Sequence, residues 1–365
     1  MTHRKNHFVK ELEDSIRQEI QIPAKKKFFV GKIILMLIIF IVVSAGVLAF
    51  KVVNAPEDEK IGGIFTQIKH LVTSPTRKLQ GENEDRINIL LLGIGGENHN
   101  GPLLTDTVIL LSIQPSTSKV AMISVPRDLL VHTPYLGEIK INHIYALTEK
   151  ETPGKGGERV IASLEDVFSI PVHYYIRLDF NGFVKLINAL GGISVNVENT
   201  LDDPNYPVEG DIGTFEHLVI EKGIRYMDGE TALKFVRSRK AVGIEGSDFA
   251  RSKRQQKILL AIKDKILSPS TLLSINKVNR TLNTIYDHTD TNMELWEIFR
   301  MFDMSKEISS SNIINVVLDD GPLGPLEASL AGEAFVLIPK KRNWSDLEYI
   351  AHNVPLGVKT LASLT

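Results

Sequence analysis

Closely spaced strand-like runs after residue 85 constrain the fold of this chain more than any other feature. The first three read INILLLGI, TVILLSIQ and KVAMISVP, and such short, strongly apolar runs predict buried strands. Helical patterns and further strands then alternate along the chain: helices near residues 142–150, 158–168 and 183–190, and strands at 172–178 (VHYYIRL) and in ISVNV. Strands interleaved with helices predict an α/β fold with three layers, α/β/α, around a mixed central sheet.

Two further helices are predicted after a segment without a clear pattern, residues 202–223. MDGETALKFVRSR begins at an Asp228 cap, and DFARSKRQQKILLAIKDKIL begins at an Asp248 cap. The main domain is therefore expected to cover residues 86–270. Residues 271–365 are expected to form a C-terminal extension that packs on or beside this domain through apolar residues: Leu295, Trp296, Phe299 and Phe302.

An 18-residue apolar run, residues 33–50, precedes these elements and is long enough to span a bilayer as a helix. Basic residues cluster before it and acidic residues follow it, so the positive-inside bias places residues 1–30 in the cytoplasm. We expect a transmembrane helix at 31–53, a stalk at 54–85 and an extracytoplasmic main domain, as in a single-pass protein of the cell membrane. A cleaved signal peptide is the alternative, although a charged leader of about 30 residues is long for one.

The composition excludes several classes of function. A formal charge of −2 is unlike the basic surfaces that bind nucleic acid, so no nucleic-acid partner is expected. The chain has no cysteine, which excludes disulfides, thiolate metal sites and a thiol nucleophile. Its histidines show neither a zinc-ligand spacing nor a Ser-His-Asp arrangement.

Charged side chains gather at a few points of this pattern. Asp106 lies between the first two strands, and Arg127 and Asp128 follow the third, where α/β sheets present ligand-binding residues. A second group closes one predicted helix and opens the next, with its last three members on one helical face: Arg237, Arg239, Asp248, Arg251 and Gln255. Guanidinium groups bind phosphate oxygens and carboxylates hold a divalent cation, so these residues predict a diphosphate site.

Each of these features also has a purely structural explanation. An Arg127–Asp128 pair is often a loop salt bridge, and the basic helix can be a solvated face with Lys253, Arg254 and Lys257 outward. The glycines in GIGGENHNGPLLTDT can simply turn the chain, since no helix start or Lys-Ser follows as in a phosphate-binding loop. The residues alone therefore predict an outward-facing α/β domain with an anion site.

One family shares these segments in the same order. INILLLGIGG, TDTVILLSI, KVAMISVPRDLLV, KINHIYA, LGGISVNV and MDGETALKFVRSR with SDFARSKRQQ, over residues 86–267, resemble the LytR-CpsA-Psr family of cell-envelope proteins. The resemblance implies an apolar pocket for a polyprenyl chain, an arginine-rich mouth for its diphosphate, and Mg²⁺ as cofactor. It also implies an enzyme, a phosphotransferase with accompanying pyrophosphatase activity, that moves a glycopolymer phosphate from a polyprenyl diphosphate carrier to peptidoglycan.

The resemblance assigns roles to individual residues. Asp106, in a TDT segment, corresponds to the family's metal-binding aspartate, and Arg127 to the arginine of its PRD motif. The implied catalytic residues are Asp106, Arg127, Arg237 and Asp248. The implied diphosphate-binding residues are Arg127, Lys140, Arg237, Arg239, Arg251 and Gln255. Asp106 and Asp248 are the candidate acceptors for the proton of the attacking hydroxyl, although carboxylates bound to metal or arginine are weak bases.

The sequence departs from the family pattern after LLLGI, where Gly95 replaces a second metal-binding aspartate. Either Glu97 or Asn98 supplies a ligand, or Asp106 holds the ion together with substrate phosphates and water. The small residues around Gly95 are expected to let the backbone approach the phosphates.

Two other functions are consistent with the resemblance. Without the second carboxylate, the chain could bind or sense a polyprenyl diphosphate without turning it over. Transcriptional attenuation of envelope genes is the other function. The expected topology speaks against it, because the arginines lie across the membrane from DNA and residues 1–30 show no helix-turn-helix pattern.

Overall fold

The computed structural model describes residues 77–97, 99, 101–208, 213–268, 286–305, 308 and 312–354. The predicted leader and transmembrane helix, and most of the predicted stalk, lie outside these residues. Within the described ranges, no helix is both long enough and apolar enough to cross a bilayer.

A mixed sheet forms the centre of the fold. The strands are β1 (Ile87–Ile94), β2 (Thr105–Gln114), β3 (Lys119–Ser124), β4 (Leu130–Thr133), β5 (Gly137–Lys140), β6 (Tyr174–Asp179), β7 (Ile193–Val197), β8 (Leu201–Pro207), β9 (Phe215–Ile220), β10 (Gly223–Met227), β11 (Thr289–Thr291), β12 (Ile313–Val317), β13 (Leu326–Ala331) and β14 (Ala334–Pro339). Six of them pair in the order β11-β6-β1-β2-β3-β12. β2 is antiparallel to β1 and β3, whereas β6 is parallel to β1 and β12 to β3. The predicted mixed sheet is thus confirmed.

Helices cover both faces of this sheet. They are α1 (Ile141–Glu151), α2 (Gly156–Phe168), α3 (Phe180–Ala189), α4 (Gly229–Arg237), α5 (Asp248–Leu267), α6 (Leu295–Ser305) and α7 (Ser345–Asn353). The side chains of β1 alternate between two buried cores. Ile89 and Leu91 belong to the core built with α3, α4 and α5, and Leu90 and Leu92 belong to the core built with α1, α2 and α7. Two cores on opposite faces give the three layers expected from the sequence.

The two helices that carry the predicted arginine segment begin differently. The carboxylate of Asp228 accepts a hydrogen bond from the backbone N–H of Thr231 (2.8 Å), so the prediction of an Asp228 cap is confirmed. At α5 the cap is Ser247, whose hydroxyl accepts from the N–H of Ala250 (3.0 Å). The prediction of an Asp248 cap is wrong, because Asp248 is the first helical residue and its carboxylate pairs with arginines instead.

Two segments differ from what the sequence pattern indicated, one in its secondary structure and the other, where NIINVVL predicts a strand, in the sheet that it joins. Residues 202–223 contribute an antiparallel hairpin of β8 and β9, with a register shift between Asp203 and Tyr206, and β10 then pairs with β7. The segment expected as a C-terminal extension supplies β11 and β12, which are the two edge strands of the central sheet. β12 lies parallel to β3, so the C-terminal segment reaches the same end of the sheet as the loop after β3 that carries Arg127.

Candidate functional site

The charged residues converge at the end of the central sheet where β1 and β3 finish and β2 begins. Because β2 is antiparallel to its neighbours, its first residues lie beside the carboxyl ends of β1 and β3. Asp106 is the second residue of β2 and thus lies in the strand rather than between strands. Arg127 comes three residues after β3 and pairs with Asp106. The glycine-rich segment after β1 therefore turns the chain next to Asp106.

Arg127 is held between carboxylates. Its Nη1 donates to Oδ1 of Asp106, and its Nε lies 3.5 Å from Oδ2 of Asp128. Burial lowers the pKa of the Arg127 guanidinium, but the nearby carboxylates, with Asp106 first, outweigh burial and hold this pKa above its ordinary value. Lys140 pairs with Asp128 (2.8 Å), so Asp128 lies between the cations of Lys140 and Arg127.

Asp248 organises a second cluster. The Nε and Nη2 atoms of Arg239 donate to its two carboxylate oxygens (2.7 and 2.9 Å), and Nη1 of Arg251 lies 3.0 Å from Oδ1. Burial raises the pKa of the Asp248 carboxyl, but Arg251 and Arg239 outweigh burial and hold this pKa below its usual range. Asp248 is therefore ionised at neutral pH and orients two guanidinium groups.

Arg251 is a buried cation, and one of its N–H groups has no acceptor among the described residues. The residue is 6% exposed, and burial lowers the pKa of its guanidinium to about 10. Its Nε, like that of Arg127, is buried without a hydrogen-bond partner among the described residues. Gln255, one turn further along α5, donates to the hydroxyl of Thr107 (2.8 Å). Unpaired buried donors are costly, and an anionic ligand would satisfy them.

Three adjoining cavities surround these side chains. The arginine cleft, of about 190 Å³, is lined by Asp106, Thr107, Arg127, Phe180, Tyr206, Pro207, Val236, Arg237, Arg239, Arg251 and Gln255. The apolar groove, of about 90 Å³, shares Thr107, Phe180, Val236 and Gln255 with it and continues along Leu91, Ile109, Leu178, Phe183, Leu233 and Ile258. The hairpin cleft, of about 150 Å³, is named for the antiparallel hairpin of β13 and β14 at its rim. It shares Asp106, Thr107, Arg127, Arg251 and Gln255 and extends to Asp128, Asp248, Phe249, Asp320 and Phe335.

Most residues expected in the site from the sequence lie around these cavities. Arg237 lines the arginine cleft and lies over the ring of Phe180, 4.9 Å from its centroid. Lys140 lines neither the arginine cleft nor the hairpin cleft, and its ion pair with Asp128 connects it to the wall of the hairpin cleft. Glu97 lines none of the three cavities, and Asn98 lies outside the described residues.

The surroundings of Gly95 leave no room for a larger residue. A Cβ atom at this position would lie 2.8 Å from the Cβ of His99, so the side chain of His99 occupies the space that a larger residue would need. Across the described parts of the chain, no group of three or more His, Cys, Asp or Glu side chains could hold a metal ion. Asp106 is the carboxylate of the arginine cleft that remains for a cation.

Sequence reasoning missed one structural cation of the site. Arg254 is 1% exposed, so the alternative reading that placed it outward is wrong. Its guanidinium donates to the carbonyl oxygens of Phe235 and Ser238 and pairs with Glu245 (2.8 Å), which fixes the chain that carries Arg237 and Arg239. Its spacing, three residues after Arg251, fits a buried and a solvated helical face equally, so the sequence pattern did not mark it. Asp320 and Phe335 were also missed, because no local pattern connects them to the arginines.

The fold and site together define an α/β protein in which an arginine-lined anion site opens into an apolar groove. The chain belongs to the LytR-CpsA-Psr family: the LytR_cpsA_psr family model matches residues 60–322. The family assignment made from the sequence motifs is thus confirmed.

Individual relatives agree with this assignment, and a solved structure shares the fold. The chain is 31% identical over 273 residues, 74% of its length and 78% of the relative's, to polyisoprenyl-teichoic acid–peptidoglycan teichoic acid transferase TagU of Oceanobacillus iheyensis. It is 29% identical over 237 residues, 64% of its length and 68% of the relative's, to the transferase TagT of the same description from Bacillus subtilis. The crystal structure of B. subtilis TagV aligns with a TM-score of 0.56 and 24% identity, covering 75% of this chain and 98% of that one.

Proposed function

We propose that this protein is a membrane-anchored, extracytoplasmic phosphotransferase that moves a glycopolymer phosphate from a polyprenyl diphosphate carrier to peptidoglycan. The observation that carries the proposal is the continuity of the arginine cleft with the apolar groove through Thr107, Phe180, Val236 and Gln255. A ligand that fits both cavities has an apolar chain joined directly to an anion. The relatives, which are named as transferases acting on polyisoprenyl-linked teichoic acid and peptidoglycan, support the same substrate class.

The arginines account for binding of the diphosphate. Arg127, Arg237, Arg239 and Arg251 line one cleft, and the buried Nε donors of Arg127 and Arg251 are available to phosphate oxygens. In a partly buried cleft these charges are screened less than in water, so they stabilise negative charge on the phosphates more strongly. The polyprenyl chain occupies the apolar groove, whose walls include Leu178, where it replaces water against aliphatic side chains.

The reaction transfers one phosphoryl group. The hydroxyl oxygen of the acceptor forms a bond to the phosphorus next to the glycan, while the bond from that phosphorus to the polyprenyl phosphate oxygen breaks. Polyprenyl phosphate leaves with the bonding electrons, and the hydroxyl proton passes to water. Phosphoryl transfer needs alignment and charge neutralisation more than a strong base. We therefore assign Arg127 and Arg237 to the phosphates and Asp248, whose pKa is depressed, to positioning Arg239 and Arg251.

Mg²⁺ fits this site when substrate phosphates share the ion. One oxygen of Asp106 pairs with Arg127, and the side chain is 35% exposed, so its second oxygen can contact a cation. Magnesium commonly takes one or two carboxylates together with substrate phosphates and water. When bound there, the ion would offset the negative charge of the phosphate oxygens. Asp106 is the residue that we propose to hold it.

The location follows from the apolar run near the N-terminus. Residues 33–50 have the length of a bilayer-spanning helix, and the charges around them favour a cytoplasmic N-terminus. An anchor there would keep the main domain near the membrane, from which a polyprenyl carrier can enter the apolar groove.

Turnover of a defined donor tests this proposal. The full-length chain in detergent micelles is incubated with a short-chain polyprenyl diphosphate sugar, with and without Mg²⁺, and release of polyprenyl phosphate is measured. We expect Mg²⁺-dependent release that is lost in Asp106→Asn and Arg237→Gln. Arg225→Gln, at an exposed position of β10 outside the three cavities, is the matched control and should behave as wild type.

The replacement at Gly95 favours a second candidate, a protein that binds the carrier without turning it over. Tight donor binding with no release, even when peptidoglycan is added, would support that candidate and contradict the transferase. Wild-type release rates in folded Arg237→Gln protein would contradict the assignment of the arginine cleft.

A further inference from the structure

The hairpin cleft adjoins the arginine cleft, and its walls reach the C-terminal segment at Asp320 and Phe335. It shares Asp106, Arg127 and Arg251 with the arginine cleft, but its other walls are formed by different elements. The apolar groove shares Thr107 and Gln255 with the hairpin cleft, but none of its aliphatic or aromatic residues lines that cleft. A donor whose chain occupies the groove and whose phosphates contact the arginines therefore leaves the walls formed by Asp320 and Phe335 to a second substrate.

The geometry of phosphoryl transfer gives this open cleft a role. The attacking and leaving oxygens lie roughly in line on opposite sides of the transferred phosphorus. The leaving polyprenyl phosphate is on the side of the apolar groove. The acceptor hydroxyl must then approach from a side away from the apolar walls of the groove. The hairpin cleft, bordered by Asp106, Arg127 and Arg251, reaches the same arginines without those apolar walls.

The walls of the hairpin cleft have the chemistry of a carbohydrate site. Phe335 is 48% exposed and lines the cleft together with Phe249. The electron-rich face of an aromatic ring attracts the C–H groups of a sugar ring, whose apolar face also excludes water there. Asp320 is exposed at the same cleft, and among the described residues its carboxylate has no hydrogen-bond or ion-pair partner. A free carboxylate accepts hydrogen bonds from sugar hydroxyls.

The C-terminal segment holds these two residues firmly in place. The pairing of β12 with β3 continues past the strand end, since the N–H of Leu318 donates to the carbonyl of Ser124 (3.1 Å), and Asp320 follows two residues later. In β14, Leu337 donates its N–H to the carbonyl of Asp128 (2.9 Å) and is 4% exposed. Side chains two residues apart in a strand share a face, so Phe335 and Leu337 lie on the same face of β14, and both line the cleft.

We propose that the hairpin cleft is the acceptor site and that Phe335 and Asp320 are acceptor-binding residues for a carbohydrate. This inference rests on the proposed transferase function and extends it to the second substrate. Phe335 provides a platform for a sugar ring, Asp320 accepts hydrogen bonds from its hydroxyls, and the reacting hydroxyl points towards the arginines. The C-terminal segment, rather than the motif-bearing helices, then sets the preference for the acceptor.

The two KM values of the transfer reaction test this proposal. Full-length protein in detergent is assayed with a short-chain polyprenyl diphosphate sugar as donor and an uncrosslinked glycan strand of peptidoglycan as acceptor. Phe335→Ala should raise the KM for the acceptor roughly fivefold, the loss expected for one aromatic contact. Asp320→Asn should raise it by about the same factor through the loss of charged hydrogen bonds. The KM for the donor should change by a smaller factor in both.

Matched controls come from the hairpin of β13 and β14, which carries Phe335. Leu330→Ala removes an apolar side chain that is 69% exposed, and Glu333→Gln neutralises an exposed acid; neither residue lines the cleft. Both controls should keep the acceptor KM of the wild type. An acceptor KM that is unchanged in Phe335→Ala and Asp320→Asn, with normal transfer, would overturn this inference and leave the proposed function standing.

Two further outcomes separate the possible failures. A rise in the donor KM instead of the acceptor KM would mean that the cleft holds the donor's own glycan, which overturns the assignment to the acceptor. Wild-type protein that releases no polyprenyl phosphate would overturn the proposed function, and this inference with it.

Discussion

Replacement of Arg251 by methionine separates the energetic cost of burying a cation from the use of that cation in binding. Arg251 is 6% exposed, and burial lowers its pKa from the ordinary arginine value to about 10. A pKa lowered by that much means that burial destabilises the charged form of Arg251 by about 3 kcal/mol relative to its neutral form. The carboxylate of Asp248 would keep both hydrogen bonds from Arg239, so the substitution leaves no unpaired buried charge.

We therefore expect opposite effects on stability and activity. The free energy of unfolding of Arg251→Met should rise by about 1 to 3 kcal/mol, because a well-packed apolar side chain replaces a poorly paired buried ion. Its rate of polyprenyl phosphate release should fall by about 10²- to 10³-fold, the loss typical of one donor that stabilises transition-state charge. Urea unfolding followed by circular dichroism measures the first quantity, and the donor assay measures the second.

Lys253→Met provides the matched control for this variant. Lys253 is an exposed cation on the same helix and lines none of the three cavities, so neither stability nor release should change appreciably. The reasoning would be refuted if Arg251→Met were destabilised by more than about 2 kcal/mol, a loss typical of a damaged core, while retaining wild-type release. Arg251 would then be a structural residue.

Three other predictions follow from the same structure. Arg254→Met should lower the free energy of unfolding by about 3 to 5 kcal/mol in urea titrations, because it leaves the partly buried Glu245 unpaired; a loss below about 1 kcal/mol would contradict this. Gly95→Asp alone should not raise affinity for Mg²⁺ in the presence of donor, because His99 fills the required space, whereas Gly95→Asp with His99→Ala should raise it in calorimetric titrations; equal affinities would refute the steric explanation. Burial raises the pKa of Glu297 above 4.5, so the folded protein binds this proton more tightly than the unfolded chain, and its contribution to stability is lost as pH rises above 4.5 through the folded pKa. Urea midpoints measured against pH should show this loss in wild type and not in Glu297→Gln.

Local patterns predicted the parts of the fold that depend on neighbours in sequence. The apolar runs predicted β1, β2 and β3, and the Asp228 cap predicted the start of α4, because burial and capping act within a few residues. The hairpin of β8 and β9 was missed because acidic residues and prolines interrupt the alternation of β8. Ser247 replaced Asp248 as the α5 cap because Asp248 bonds to Arg239 and Arg251.

The candidate site was predictable to the extent that motifs mark it. Asp106, Arg127 and the arginine segment were identified from the sequence, and the structure brings them together around one cleft. The position of Asp320 and Phe335 was not predictable, because it depends on β12 and β14 packing beside residues about 200 positions earlier in the chain. The burial of Arg254 likewise depends on tertiary contacts, since its spacing fits a solvated face equally well.

The most direct test of the account is detection of the covalent product. Full-length protein is incubated with Mg²⁺, a donor that carries an isotopic label in its sugar phosphate, and peptidoglycan glycan strands; the strands are then digested and analysed by mass spectrometry. We expect the label in a phosphodiester on a peptidoglycan sugar, formed with one polyprenyl phosphate per transfer and absent with Arg251→Met. Donor that binds tightly but yields no labelled phosphodiester would contradict the proposed transferase and identify the arginine cleft as a carrier-binding site.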